Sequence, residues 1–175
     1  MKKPKLLVCD VDDTVIYWSP KYVEWLFKNN LHKIDTHEAS EWFKYKTWIN
    51  EFNFQSHEFY QRERIEPMCK LVESYMGKVE VLFFSACGKL AYDRQESLLQ
   101  RHITYIGWKF RTAENSHEKV SEIFELSREY DIIVLDDKIE TVVDLNKGGI
   151  KALSSSDTKF VKSFIDREWG YDKSK

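Results

Sequence analysis

The chain has little of what marks several large classes of protein. Its three cysteines, Cys9, Cys69 and Cys87, lack the paired spacing of a disulfide framework or a zinc site. No apolar run approaches the roughly 18 residues that a membrane helix needs. The apolar stretch after the first lysines, residues 6–9, is too short for a signal peptide. We therefore expect a cytoplasmic protein whose cysteines are reduced and which does not interact with membranes.

The chain also lacks a surplus of charge of either sign. Its 29 acidic and 27 basic residues leave a formal net charge of −2. Non-specific binding to nucleic acid or to an anionic membrane needs a strong positive surplus, so we expect neither partner. Hydrophobic residues make up 42% and charged residues 32% of the 175 positions, which is typical of one globular domain.

Three short runs are almost entirely apolar: residues 6–9, 79–84 and 132–135. Such runs are typical of strands buried on both faces of a parallel sheet. Weaker strand patterns occur at 104–110 and 150–153. Helical patterns lie between the strands, at 67–75, 89–100, 118–129, 139–146 and 158–169, the last preceded by Asp157 as N-cap. This alternation predicts a Rossmann-like, doubly wound α/β core with a parallel sheet.

Residues 17–62 interrupt this alternation. Ser19 and Pro20 predict the start of a helix that runs to about Lys28, and further helical patterns occur at 37–48 and 56–64. Of the 26 aromatic residues (6 Trp, 9 Tyr and 11 Phe), 13 lie in this segment, enough to form a small core of its own. We interpret residues 17–76 as a helical cap inserted into a core formed by residues 1–16 and 77–175.

Polar side chains follow three of the predicted strands where each strand ends. They are the segment Asp10–Thr14, the residue Ser85 and the pair Asp136–Asp137. In open α/β sheets, ligands bind at the carboxyl ends of the strands. Three distant stretches of the chain are therefore expected to meet at one site.

Clustered carboxylates supply the hard oxygen ligands that Mg²⁺ prefers, and Mg²⁺ attracts phosphate. A carboxylate beside that phosphate could attack phosphorus and form an aspartyl-phosphate. Asp12, two positions further along, could then act as general acid and later as base. The developing charge calls for a hydroxyl and a cation. Ser85 would supply the hydroxyl and Lys119 is the best candidate for the cation, with Lys89 and Lys138 as rivals.

In order and spacing, these motifs resemble those of the haloacid dehalogenase (HAD) superfamily of phosphatases. That superfamily has an apolar strand ending in Asp-x-Asp-x-Thr/Val, a strand ending in Ser or Thr, a lone lysine, and a strand ending in paired acids. The matching positions here are Asp10–Thr14, Ser85, Lys119 and Asp136–Asp137. The resemblance covers residues 5–16 and about 78–153.

The resemblance implies a role for each matching position. Asp10 would be the nucleophile and Asp12 the acid and base. Mg²⁺ would bind Asp10, the carbonyl of Asp12 and the pair Asp136–Asp137, with Asp137 favoured as the direct ligand. The residues implied in binding the phosphate are Thr14, Ser85, Ala86 and Lys119.

A narrower resemblance concerns the substrate. The predicted helical cap, the Leu-Asp-Asp-Lys sequence at residues 135–138 and the aromatic Trp18 resemble the 5′(3′)-deoxyribonucleotidases. In that family, the aromatic residue just beyond the first motif stacks on the nucleobase. The resemblance implies that the partner is a small phosphorylated molecule, a nucleoside monophosphate or a similar ester. Asp13 stands where that family usually has glycine, and we interpret it as a turn or capping residue.

Other functions stay open at this point. A polynucleotide 3′-phosphatase would carry the same motifs but would need an open basic groove. Transfer of the phosphoryl group to a sugar hydroxyl would use the same first step. A catalytically idle module that binds a phosphorylated metabolite would keep the fold but gain nothing from Asp12. Each motif also has a plainer interpretation when taken alone: the segment Asp10–Thr14 as a solvated turn and Lys119 as a solvated helical lysine.

Overall fold

A parallel five-stranded sheet forms the centre of the protein. The computed structural model describes residues 2–29, 63–88, 91–101, 103 and 108–171. In chain order, the elements of this part are β1 (Lys5–Cys9), α1 (Ser19–Lys28), α2 (Glu66–Tyr75), β2 (Glu80–Ser85), α3 (Ala91–Gln100), β3 (Trp108–Thr112), α4 (Ser116–Leu126), β4 (Asp131–Asp136), α5 (Ile139–Lys147), β5 (Lys151–Ser154) and α6 (Thr158–Trp169).

The strand order is β3-β2-β1-β4-β5, and every neighbouring pair is parallel. The chain therefore leaves β1 towards one side of the sheet and later crosses to build the other side. In register, Leu7 at the centre pairs with Val81 of β2 and with Ile133 of β4. The predicted Rossmann-like, doubly wound sheet is confirmed, and β1 lies at its switch point, where such sheets bind ligands.

Two apolar layers cover the sheet, one on each face. Successive strand residues point to opposite faces, so Leu7 and Cys9 belong to one layer while Leu6 and Val8 belong to the other. All four are at most 2% exposed, and burying one leucine side chain contributes about 1.5–3 kcal/mol. This double burial explains why the strands appear in the sequence as nearly unbroken apolar runs.

Helix α2 lies in the interval that the sequence assigns to the cap, but it packs on the sheet. Met68, Val72 and Tyr75 share the apolar layer of Leu7, and the Tyr75 hydroxyl donates a hydrogen bond of 2.7 Å to Asp166 of α6. Helix α1 begins at Ser19, as predicted. The helices predicted at 37–48 and 56–64 lie, except for the last two residues, outside the described part of the chain, and the cap remains a prediction.

Most element boundaries lie within two residues of those predicted. Helix α4 is an exception: predicted over 118–129, it starts two residues earlier because the Asn115 side chain caps it by accepting the N–H of Glu118 at 3.0 Å. It also stops three residues earlier, where the Ser127 hydroxyl donates to the carbonyl of Phe124 at 2.7 Å. Strand β3 is predicted at 104–110 and is found at Trp108–Thr112, so it ends two residues later, while 104–107 lie outside the described residues.

Among the helices described, none combines the length and the apolar character needed to cross a bilayer. The three cysteines are free thiols, with Cys9 and Cys69 buried and Cys87 half-buried.

Candidate active site

The site begins where β1 ends. Asp10 is 7% exposed, and its N–H donates to the carbonyl of Leu135 at 2.8 Å, which ties it to β4. The chain then turns tightly, because the carbonyl of Val11 accepts the N–H groups of Val15 at 3.0 Å and Ile16 at 3.2 Å. This turn holds the acidic residues of the first motif at the carboxyl edge of the sheet.

Asp13 shapes that turn. Its φ of 56° lies in the left-handed region, which aspartate tolerates better than most side chains. Its carboxylate accepts the N–H of Trp18 at 2.8 Å, so the turn role predicted for Asp13 is confirmed. The Trp18 ring stacks on Tyr22 of α1, with centroids 5.2 Å apart. The indole is thereby fixed just beyond the first motif.

Lys119 of α4 reaches into the centre of the site. Its side chain is 2% exposed, and Nζ donates to Asp10 Oδ1 at 2.6 Å and to Asp136 Oδ2 at 2.7 Å. Of its predicted rivals, Lys138 instead points its ammonium at the hydroxyl of Ser116 on the surface, at 3.4 Å, and Lys89 lies outside the described residues. Among the described residues, Lys119 is the predicted lysine that the fold brings to the first and fourth motifs.

The electrostatics of this contact are set by burial. The pKa of Asp10 is raised to about 7, chiefly because burial disfavours the charged carboxylate, while the Lys119 ammonium acts in the opposite direction. Burial alone would lower the pKa of Lys119, but the carboxylates of Asp10 and Asp136 raise it above the ordinary lysine value. The ammonium is therefore charged throughout the neutral range.

Three carboxylates converge beside this ammonium. Ligand oxygens of Asp10, Asp136 and Asp137 all lie within 4.8 Å of one another. Asp136 is already engaged on both oxygens, since Oδ2 accepts from Lys119 and Oδ1 accepts the N–H of Lys138 at 2.9 Å. Asp137 is thus the member of the cluster most open to an additional partner.

The cluster has the chemistry of a divalent-cation site. The pKa of Asp137 is raised to about 6 by burial first and then by the neighbouring charges of Asp136 and Asp13. A single ammonium does not balance three carboxylates, and their hard oxygens suit a cation such as Mg²⁺. The residues present therefore fit the metal that the sequence predicts.

Asp12 has a partner that the sequence did not indicate. Its Oδ2 accepts a hydrogen bond of 2.7 Å from Nε of Arg94 on α3, with the Asp12 side chain 25% and the Arg94 side chain 4% exposed. A charged residue within a helical pattern normally faces solvent, so no local signal in the sequence marks Arg94. Only the tertiary structure reveals this ion pair.

Hydroxyl groups line the rest of the edge. Thr14, 1% exposed, lies 3.4 Å from Asp10 Oδ2 and 3.4 Å from the hydroxyl of Ser155. Ser85 is buried at the end of β2, next to β1, and Ala86 follows it. Ser155 belongs to none of the sequence motifs, although its position directly after β5 could have suggested a place in the site. Direct contacts join Asp10 to Thr14 and to Lys119, while Ser85 and Ala86 share the edge without a direct contact to Asp10 among those described.

The chain is similar to known proteins in fold. No family model matches the chain, and no curated protein matches it in sequence. Solved structures do match. A candidate phosphatase from Clostridium difficile has a TM-score of 0.60 at 15% identity, over 88% of this chain and 86% of that protein. The candidate HAD-hydrolase YfnB from Bacillus subtilis, bound to magnesium, has a TM-score of 0.58 at 10% identity, over 86% and 88%.

A haloacid dehalogenase-like hydrolase from Streptococcus pneumoniae has a TM-score of 0.50 at 13% identity, over 86% of this chain and 84% of that protein. At identities this low, the similarity shows a common fold. The chain has the HAD-like α/β fold that the resemblance of its motifs implies.

Replacing Lys119 should destabilise the protein, because the carboxylates of Asp10 and Asp136 would then repel each other. In EDTA, we expect Lys119→Met to lower the free energy of unfolding by about 3–5 kcal/mol, because two buried carboxylates lose their cation. Adding Asp10→Asn should restore at least about 1 kcal/mol in a double-mutant cycle. Urea denaturation gives both values. Lys109→Met is the matched control, since that lysine forms an exposed pair with Glu80 and should cost at most about 1 kcal/mol. Equal stability of the two lysine variants would contradict the role of Lys119.

Proposed function

We propose that the protein is a Mg²⁺-dependent phosphomonoester hydrolase that acts through an aspartyl-phosphate formed on Asp10. The observation that supports this most strongly is the buried Lys119 ammonium between Asp10 and Asp136, with Asp137 beside them. The similarity of fold to a candidate phosphatase and to a magnesium-bound candidate hydrolase adds support.

Asp10 is the proposed nucleophile. Lys119 holds its Oδ1 at 2.6 Å, whereas Oδ2, among the described residues, has only the longer 3.4 Å contact with Thr14. Oδ2 can therefore turn to phosphorus and form the new P–O bond while the bond to the leaving oxygen breaks. Lys119 then lies next to the reacting carboxylate, where its charge stabilises the negative charge on the phosphoryl group.

Asp12 is the proposed acid and base. In the first step, its carboxyl group gives a proton to the leaving oxygen. In the second step, its carboxylate takes a proton from the water that attacks phosphorus, the P–O bond to Asp10 breaks, and inorganic phosphate is released. Dividing the hydrolysis in this way replaces one difficult step by two easier ones.

The proposed metal ligands are Asp137, Asp10, Asp136 and the carbonyl of Asp12. Asp137 is the favoured direct ligand, since both oxygens of Asp136 already accept hydrogen bonds. When bound, Mg²⁺ would supply positive charge to the phosphoryl oxygens and to the attacking carboxylate. The hydroxyls of Thr14 and Ser85, with Ala86 beside them, are the proposed contacts of the remaining phosphoryl oxygens.

The proposed substrate is a nucleoside monophosphate or a similar small phosphate ester. Trp18 supports this because Asp13 accepts its backbone N–H and Tyr22 stacks on its ring. The indole is thereby held just beyond the first motif, where a planar base could stack on it. A cap built from the inserted segment would exclude water and select the leaving group.

A substrate panel tests this proposal. With Mg²⁺ present, we expect turnover of nucleoside monophosphates to exceed turnover of sugar phosphates and of 3′-phosphorylated oligonucleotides. Asp10→Asn should lower turnover at least about a thousandfold, because the nucleophile is lost. Asp144→Asn is the matched control: Asp144 is exposed on α5, and its variant should keep full activity. Release of inorganic phosphate is the measurement.

Each other outcome of the substrate panel would indicate a different function. Faster turnover of the oligonucleotides would identify a polynucleotide 3′-phosphatase. A phosphorylated product formed from an added alcohol would show phosphotransfer. Absence of turnover with every ester, in a folded protein with Mg²⁺, would contradict a phosphatase and leave a binding module.

Metal removal tests the cation site separately. EDTA should abolish turnover, and Mg²⁺ but not Zn²⁺ should restore it. Mg²⁺ should also stabilise the wild-type protein against thermal unfolding, by about 2.7 kcal/mol at a concentration of 100 times Kd. Asp137→Asn should lose this stabilisation and Asp144→Asn should keep it. Full activity in EDTA, or an equal effect of Mg²⁺ on both variants, would contradict the site.

A further inference from the structure

We propose that Arg94 is a positioning residue: its guanidinium holds the Asp12 carboxylate in the orientation needed for proton transfer. This inference rests on the proposed function and deepens it, since the sequence motifs and the fold comparisons assign no role to Arg94.

The location of Arg94 within α3 is unusual for a charged residue. Arg94, Ser97 and Leu98 lie on the buried side of this helix, at 3%, 0% and 0% exposure, whereas Tyr92 and Leu99 are exposed. Leucine or methionine would normally occupy such a position. Removing a guanidinium from water is costly, so the charge at this position requires a compensating partner.

That partner is Asp12, 82 residues away in the sequence. The hydrogen bond from Nε to Oδ2 is 2.7 Å long, and the pair is asymmetric, since the Arg94 side chain is 4% and the Asp12 side chain 25% exposed. The cation is therefore enclosed in the protein while the carboxylate is partly exposed, near enough to Asp10 that, after burial, its charge also raises the pKa of Asp10. Arginine donates from a rigid, planar fork, so it fixes direction as well as distance.

The contact also links a turn to a helix. Asp12 stands in the tight turn after β1. Arg94 stands on α3, whose buried face anchors it to the apolar layer through Leu98. This hydrogen bond ties the orientation of the Asp12 side chain to the helix. The buried arginine thus positions Asp12, the proposed acid and base.

A displaced Asp12 would affect the two chemical steps unequally, depending on the leaving group. p-Nitrophenolate leaves without a proton, so with p-nitrophenyl phosphate only the second step, attack by water, needs Asp12. The alkoxide of a nucleoside 5′-monophosphate needs a proton, so both steps need Asp12. Loss of Arg94 should therefore let the phosphoenzyme accumulate with the aryl ester and should slow its formation with the nucleotide.

The experiment compares Arg94→Met, which keeps bulk but removes the charge, with Arg94→Lys and with the control Arg128→Met. Arg128 is exposed, lies before the amino end of β4 rather than at the carboxyl edge, and pairs only with Glu125 among the described contacts. With the best nucleotide, kcat of Arg94→Met should fall about 100-fold, the scale of acid–base catalysis, and KM should change less than about threefold. With p-nitrophenyl phosphate, stopped-flow absorbance should show a burst of one product per active site. Arg94→Lys should recover part of the loss.

The proposed function stands if the wild-type protein is active and Asp10→Asn is inactive. In that case, two results would overturn the inference about Arg94. One is kinetics of Arg94→Met equal to those of Arg128→Met. The other is an equal loss with both esters and no burst, which is expected if Arg94 only anchors α3. If Arg94→Met does not fold, Arg94→Lys takes its place in the test. A larger loss of kcat with the nucleotide than with p-nitrophenyl phosphate would support the inference, and an equal loss would overturn it. An inactive, folded wild-type protein would overturn the proposed function itself and this inference with it.

Discussion

A single buried ammonium group organises the site. Lys119 donates to Asp10 and to Asp136 at 2.6 and 2.7 Å, and so joins α4 to the ends of β1 and β4. Without it, two carboxylates would face each other among apolar side chains. Replacing a buried ion pair with well-packed apolar residues is often neutral or stabilising, so such a cluster is better explained by chemistry than by stability. The arrangement holds a carboxylate next to a cation, as nucleophilic attack on a phosphate requires.

The sheet determines which residues can take part. Because β1 pairs in parallel with both β2 and β4, the residues that end these strands meet at one edge although they are far apart in sequence. The loop after β5 reaches the same edge and adds Ser155. Helices α3 and α4 then supply Arg94 and Lys119 from opposite sides of β1. The acids come from strand ends and the cations from helices.

The sequence predicted the sheet and the acids because both leave local signals. Doubly buried strands are unbroken apolar runs, and Asp136–Asp137 directly follows one of them. Lys119 was the best candidate for the cation, but Lys89 and Lys138 stayed as rivals, since in the sequence a buried lysine in a helix looks like a solvated one. The pairing of Arg94 with Asp12 could not be predicted, because it depends on how α3 is rotated against a turn 82 residues away. The packing of α2 on the sheet could not be predicted for a related reason: periodicity shows which face of a helix is apolar but not which layer covers it.

Trapping the intermediate on Asp10 tests the proposed chemistry most directly. Acid quenching during turnover, followed by borohydride reduction, converts an aspartyl-phosphate to homoserine, which mass spectrometry locates within a peptide. We expect homoserine at position 10 in the wild-type protein, a larger fraction of it when the second step is slowed, and none in Asp10→Asn. Sustained phosphate release with Asp10 unmodified, or homoserine at another aspartate, would contradict the central claim that Asp10 is the nucleophile.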